Sequence, residues 1–175
     1  MERLLRAARA IDAINRVVGR TAGWLILIAV LVSAGNAVVR KTLNMSSNAM
    51  LEIQWYLFAG AFLLCAGYTL FNKAHVRVDV FVARMSRRKQ LWIEIFGTLF
   101  FLVPVTALIL VLSWQPFVDA WTSGEISPNA GGLVRWPVKL LIPIGFALLL
   151  LQGVSEIIKD VAELRGIGNS KVPPP

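Results

Sequence analysis

The sequence predicts an all-α integral membrane protein with four transmembrane helices and both termini cytoplasmic. Three observations predict it: a composition of 57% hydrophobic and 16% charged residues over 175 positions, four long apolar runs, and a one-sided distribution of Lys and Arg between those runs. A chain this apolar lies outside the range of ordinary soluble domains. Each run is about 18 to 24 residues long, enough at 1.5 Å per residue to cross a hydrocarbon core of about 30 Å.

Residues 1–20, MERLLRAARAIDAINRVVGR, read as an amphipathic helix lying on the cytoplasmic surface. Leu4, Ala7, Ile11, Ile14 and Val18 recur at spacings of four and three, while the arginines largely occupy other faces. A basic segment ahead of an apolar one has the outline of a secretory signal. This one is too long, and the apolar stretch continues too far, so it reads as an uncleaved anchor. The spans follow at about 22–39, 51–71, 91–114 and 137–158, giving a membrane domain over residues 21–160. Pro104 and Pro143 each remove a backbone hydrogen bond and predict kinks, whereas Pro137 suits a first helical turn. Residues 161–175, which include GIGNSKVPPP, are Gly- and Pro-rich without an apolar face and are expected to be disordered.

Orientation follows from the basic residues. Fourteen of the 18 Lys and Arg lie in the N-terminal segment, in the middle loop (Lys73, Arg77, Arg84, Arg87, Arg88, Lys89) and after the fourth span; the alternate loops hold only Arg40, Lys41, Arg135 and Lys139. The positive-inside rule therefore places both termini and the middle loop in the cytoplasm. Trp24, Trp55, Trp92, Trp114, Trp121 and Trp136 fall at or just beyond span ends, as an aromatic belt requires. The net charge of +8 does not point to nucleic acid, because the basic residues sit in short segments between apolar runs and not on one polar surface. The lone Cys65 lies within a span, which excludes an intramolecular disulfide and a cysteine metal cluster.

Ionisable groups in a bilayer are functional candidates by default. Glu52 opens the second span, where the positive end of the helix dipole favours a carboxylate; Glu94 does the same in the third, and Glu156 lies in the last turns of the fourth. Ser33, Asn36, Thr98, Thr106 and Gln152 supply mid-span polarity of the kind that knits helices together. One histidine is too few for transmembrane haems, one cysteine too few for disulfide shuttling, and no GxxxxGK[ST] phosphate loop is present. The first span lacks the embedded acid of a small proton-coupled exporter. No catalytic, cofactor-binding or metal-binding set emerges, so neither enzymatic activity nor a cofactor is expected.

The middle loop contains AHVRVDVFVARMSRRKQ. His75, Arg77 and Asp79 alternate with Val76, Val78 and Val80 in an extended stretch; from Asp79 onward Val78, Phe81, Val82 and Met85 adopt helical spacing. This predicts an extended exit from the second span, Asp79 as an N-cap, and a short amphipathic cytoplasmic helix whose arginines meet lipid phosphates.

A four-span chain with an acid at the start of span two (Glu52) and HVRVD just after it (His75 to Asp79) resembles the small membrane subunit, DctQ-like, of tripartite ATP-independent periplasmic (TRAP) transporters. The string SWQPFVDAWTSGEISPNAGGLVRWPVKLLIPIGFALLLLQG is similar to the subgroup labelled mannitol/chloroaromatic compound transport. The resemblance implies a bacterial inner-membrane protein working with a larger multi-span subunit and a periplasmic solute-binding protein. It also implies sodium-coupled import of organic acids, the small subunit being a static, non-catalytic scaffold. The contact candidates are then Glu52, the HVRVD turn, Glu94 and the periplasmic loop Pro116 to Trp136, within which Trp121, Glu125, Gly131, Gly132, Arg135 and Trp136 are placed to meet the binding protein. A self-sufficient small membrane carrier or membrane enzyme is the competing expectation.

Overall fold

The computed structural model describes residues 1–43, 47–73 and 85–167. Nearly all of them are helical, because a backbone without water must satisfy its own polar groups. The elements are α1 (Glu2–Leu43), α2 (Asn48–Phe71), α3 (Arg87–Gly97), α4 (Val103–Ser123) and α5 (Trp136–Leu164). A five-residue π-helical segment, Thr98–Leu102, joins α3 and α4 into one rod. With that rod counted once, four helices among the described residues are long and apolar enough to cross a membrane.

The helices outrun the apolar runs that predict them. The N-terminal helix and the first span are a single helix of 42 residues, without a break near residue 20. At 1.5 Å per residue α1 is about 63 Å long, roughly twice the hydrocarbon thickness. The third span continues past Trp114 to Ser123 with Pro116 inside α4, so the loop expected at 116–136 contracts to 124–135. Trp114, Phe117 and Trp121, three and four residues apart, form a continuous aromatic edge with centroid separations of 5.7 and 6.3 Å that favours helix beyond the proline. The helix ends at Gly124, whose φ of 63° is open to glycine, and the Glu125 N–H returns to Ala120 O at 3.1 Å. Residues 161–164, expected in the tail, complete α5. The short amphipathic helix expected in the middle loop and the tail from residue 168 lie outside the described residues.

Pro104 is accommodated by the π segment ahead of it. The Val103 N–H reaches five residues back to Thr98 O, widening the turn in which the Pro104 ring would otherwise crowd a carbonyl. Thr106 Oγ1 then donates to Leu102 O at 2.7 Å. Pro143 lies inside α5 and is buried.

α5 touches every other helix; α1 and α2 pack along each other on one flank, and the α3–α4 rod lies on the other. Glycines permit these approaches. A Cβ on Gly145 of α5 would lie 2.8 Å from Leu63 Cβ and 2.9 Å from Leu63 O of α2, and one on Gly19 of α1 would lie 2.3 Å from Tyr68 Cβ. Along α1, the buried seam repeats every seven residues as Ala8, Asn15, Ala22, Ala29 and Asn36, with Asp12 and Gly19 between them. Small and polar groups thus face inward. Leu4 and Ile14, from the apolar face read in the sequence, are each 51% exposed and turn outward.

Substituting Gly145→Ala is expected to destabilise the detergent-solubilised protein by about 1–3 kcal/mol, because a backbone carbonyl blocks the new methyl. Gly23→Ala, where nothing lies within 4 Å, is expected to be neutral or slightly stabilising. Thermal unfolding of both variants checks the contrast.

Candidate functional site

Two polar clusters occupy opposite ends of α5. The first forms around residues 124–135. This segment folds on itself through an antiparallel bridge between Ile126 and Val134, with the Ser127 N–H to Leu133 O and the Arg135 N–H to Glu125 O both at 2.9 Å. Gly131 makes the turn at a φ of 71°, and a Cβ on Gly132 would meet Ser127 Cβ at 2.5 Å. The folded loop sits over the first turns of α2. Glu52, only 4% exposed, accepts hydrogen bonds from Ser127 Oγ, from Asn129 Nδ2 at 2.8 Å and from the Leu133 N–H at 2.7 Å. Asn48 Nδ2 donates to Ala130 O at 3.0 Å and Tyr56 OH to Val134 O at 3.3 Å.

The same loop is latched to α5. Glu125 pairs with Arg135 at 3.0 Å and with Lys139, whose hydrogen bond holds the Glu125 carboxyl below its ordinary range. Trp121 and Trp136 meet edge to face at 4.5 Å where α4 ends and α5 begins. The structure therefore gathers Glu52, Trp121, Glu125, Gly131, Gly132, Arg135 and Trp136 into one end cap. Ser127, Asn129 and Lys139 complete it and were not among the sequence candidates. Glu52, read from the sequence as an acid at the opening of the second span, is buried among three neutral donors.

The second cluster joins α1 to the other end of α5. Gln152, fully buried, accepts from Asn15 Nδ2 at 3.0 Å and donates to Asp12 Oδ1 at 2.8 Å and to Glu156 Oε1 at 2.9 Å. Ser155 Oγ donates to Asp12 Oδ1 at 2.7 Å, and Lys159 Nζ bridges Asp12 at 3.1 Å and Glu156 at 2.6 Å. Arg16 and Lys159 both lie over the Phe71 ring, at 5.1 and 5.4 Å, which ties α2 to the same cluster. A Cβ on Gly67 would lie 2.1 Å from Asn15 Oδ1, so the glycine gives the amide its place. Sequence reasoning singled out Gln152 and Glu156 but not Asp12, Asn15 or Lys159.

Beside this cluster, Lys73 pairs with Glu94 at 3.0 Å, and Arg87 binds both carboxylate oxygens of Glu163 at 2.7 and 3.0 Å. These contacts fix the start of α3 against α2 and α5. His75, Arg77 and Asp79 lie outside the described residues. In both clusters the carboxylates are engaged by internal donors, and no nucleophile stands beside a free base. Among the described residues, no group of three or more His, Cys, Asp or Glu is placed to hold a metal ion. The arrangement fastens helices and a loop.

Removing the acceptor in Glu52→Ala strands the donors of Ser127, Asn129 and Leu133 and is expected to release the loop at a cost of about 1–3 kcal/mol. Faster amide exchange at Leu133, with exchange in the middle of α2 unchanged, is the expected signature. In the second cluster, Asp12→Ala leaves Lys159 without one of its two carboxylates and is expected to destabilise by about 3–5 kcal/mol. Adding Lys159→Met should recover part of that loss in a double-mutant cycle read by thermal unfolding; strictly additive losses would show that the pair is uncoupled.

No curated protein and no solved structure matches the chain significantly. The family model described as tripartite ATP-independent periplasmic transporters, DctQ component, matches residues 28–163, from the latter part of α1 to the last turn of α5, and takes in the whole of the first end cap. The chain belongs to the DctQ family of TRAP transporter components.

Proposed function

We propose that this DctQ component is the non-catalytic small subunit of a binding-protein-dependent, sodium-coupled secondary importer of organic acids, and that it packs against the large transport subunit as part of the static scaffold. The observation that carries the scaffold role is the α3–α4 rod. It packs on α5 and leaves Trp92, Phe96, Phe100, Phe101, Leu108 and Val111 more than half exposed. Such a surface suits lipid or the helices of a larger membrane partner, and the carboxylates of Asp12, Glu52, Glu125 and Glu156 are engaged by donors of the chain itself. The orientation implied by the basic residues, with both termini in the cytoplasm of a bacterium, puts the 124–135 cap on the periplasmic side, where a solute-binding protein docks. Resemblance of the 113–153 string supports the mannitol/chloroaromatic compound subgroup.

Coexpression with the genes of its transport system is expected to yield a stable complex of this chain with the large multi-span subunit. Liposomes holding this chain alone are expected to show no substrate flux. Flux by the isolated chain would overturn the scaffold assignment in favour of a self-sufficient carrier.

A further inference from the structure

Where α1 ends beside the start of α2, a pocket of about 450 Å³ opens among Ser33, Asn36, Arg40 and Lys41 of α1 and Leu51 and Gln54 of α2. The charge in it is unbalanced. Among the described residues, neither Arg40 nor Lys41 has an acidic partner; Glu52, one residue from Leu51, is engaged by Ser127, Asn129 and Leu133. The two cations complement the negative end of the α1 dipole, which accounts for their position but not for the amide beneath them. Asn36 is 8% exposed, lines the pocket and makes no hydrogen bond among the described residues. Its amide is not closed off inside the bundle, where Asn15 Oδ1 is the buried side-chain polar atom left without a partner among the described residues; the free side of the Asn36 amide is the pocket.

The surroundings select the ligand. The first turns of α2 bring the positive end of a helix dipole to the pocket. Ile26 and Val30, seven residues before Ser33 and Ala37 and so on the pocket's side of α1, are 48% and 52% exposed, an apolar surface suited to acyl chains and not to a water-borne ion. We propose that this pocket binds the phosphate group of an anionic phospholipid. Arg40 and Lys41 pair with the phosphate oxygens, Asn36 and Gln54 hydrogen-bond the polar part of the headgroup, and the acyl chains run down the exposed apolar face of α1. The site is distinct from the two clusters that fasten the helices.

Native mass spectrometry of the full chain, released from detergent containing phosphatidylglycerol or phosphatidylcholine, tests this. The expected result is selective retention of phosphatidylglycerol, reduced at least tenfold in Arg40→Gln/Lys41→Gln and severalfold in Asn36→Ala. Arg88→Gln/Lys89→Gln, an equal loss of charge at the far end of the bundle, is expected to leave retention unchanged. Equal loss in that control, or equal retention of both lipids, would overturn the proposal by showing nonspecific attraction. Inorganic phosphate binding as tightly as the lipid, and displacing it, would overturn the lipid assignment in favour of a free-anion site. If Asn36→Ala lowers the melting temperature, its retention is read at matched folded fraction, and unchanged retention there would remove the amide from the site and overturn the proposed geometry.

Discussion

Every helix in this bundle leans on α5, and α5 can accept neighbours on several sides because it offers little side-chain bulk where they approach. Gly145 lets Leu63 of α2 come to backbone distance, and Gly153 receives Leu102 from the π segment. Ser155 and Gln152 take the N-terminal half of α1. In a bilayer, burying apolar surface between helices gains little over burying it in lipid, so close backbone approach and interhelical hydrogen bonds must hold the bundle together. The broad apolar faces of α1 and α4 are consequently left outward, and polar groups occupy the interior.

That inversion explains both what could be read from the sequence and what could not. The four spans were legible because hydrocarbon thickness sets a length that the apolar runs meet. Glu52 was legible as an acid near the start of the second span, although α2 begins four residues earlier, at Asn48, and the three neutral donors of Glu52 come from a loop more than 70 residues later. The buried side of α1 was not legible. Leu4, Ile11 and Ile14 form an apolar stripe that in a soluble protein would mark the core; here the core side is Ala8, Asp12 and Asn15, whose neighbours Arg9 and Arg16 disguise it as a solvated face. Asp12 acquires its meaning only from Lys159 and Gln152, and nothing local in the sequence announces partners so distant. The length of α4 was missed for a different reason: Pro116 is a sound helix breaker in isolation, and it is overridden by the aromatic edge that continues to Trp121.

The two end clusters divide the labour of the fold. The cap at residues 124–135 holds the start of α2, the end of α4 and the start of α5 in register, using one buried carboxylate and one charged latch. The Asp12 cluster holds α1 to the far half of α5, with Phe71 of α2 drawn in through two cations. Fixing α5 near both of its ends leaves its middle, where Gly145 and the π segment meet its neighbours, dependent on shape alone. A DctQ chain built this way holds its helices from within and leaves its apolar faces outward.

The seven-residue repeat of buried positions on α1 has one more consequence. A straight α-helix drifts by about 20° per heptad from such a repeat, or about 80° over the four intervals from Ala8 to Asn36. All five positions nevertheless stay on the inner side, and a seven-residue repeat of this kind favours a left-handed wrap of α1 about its neighbours. The Asp12 cluster and the pocket beside Arg40 are thus carried on the same buried seam of one unbroken helix.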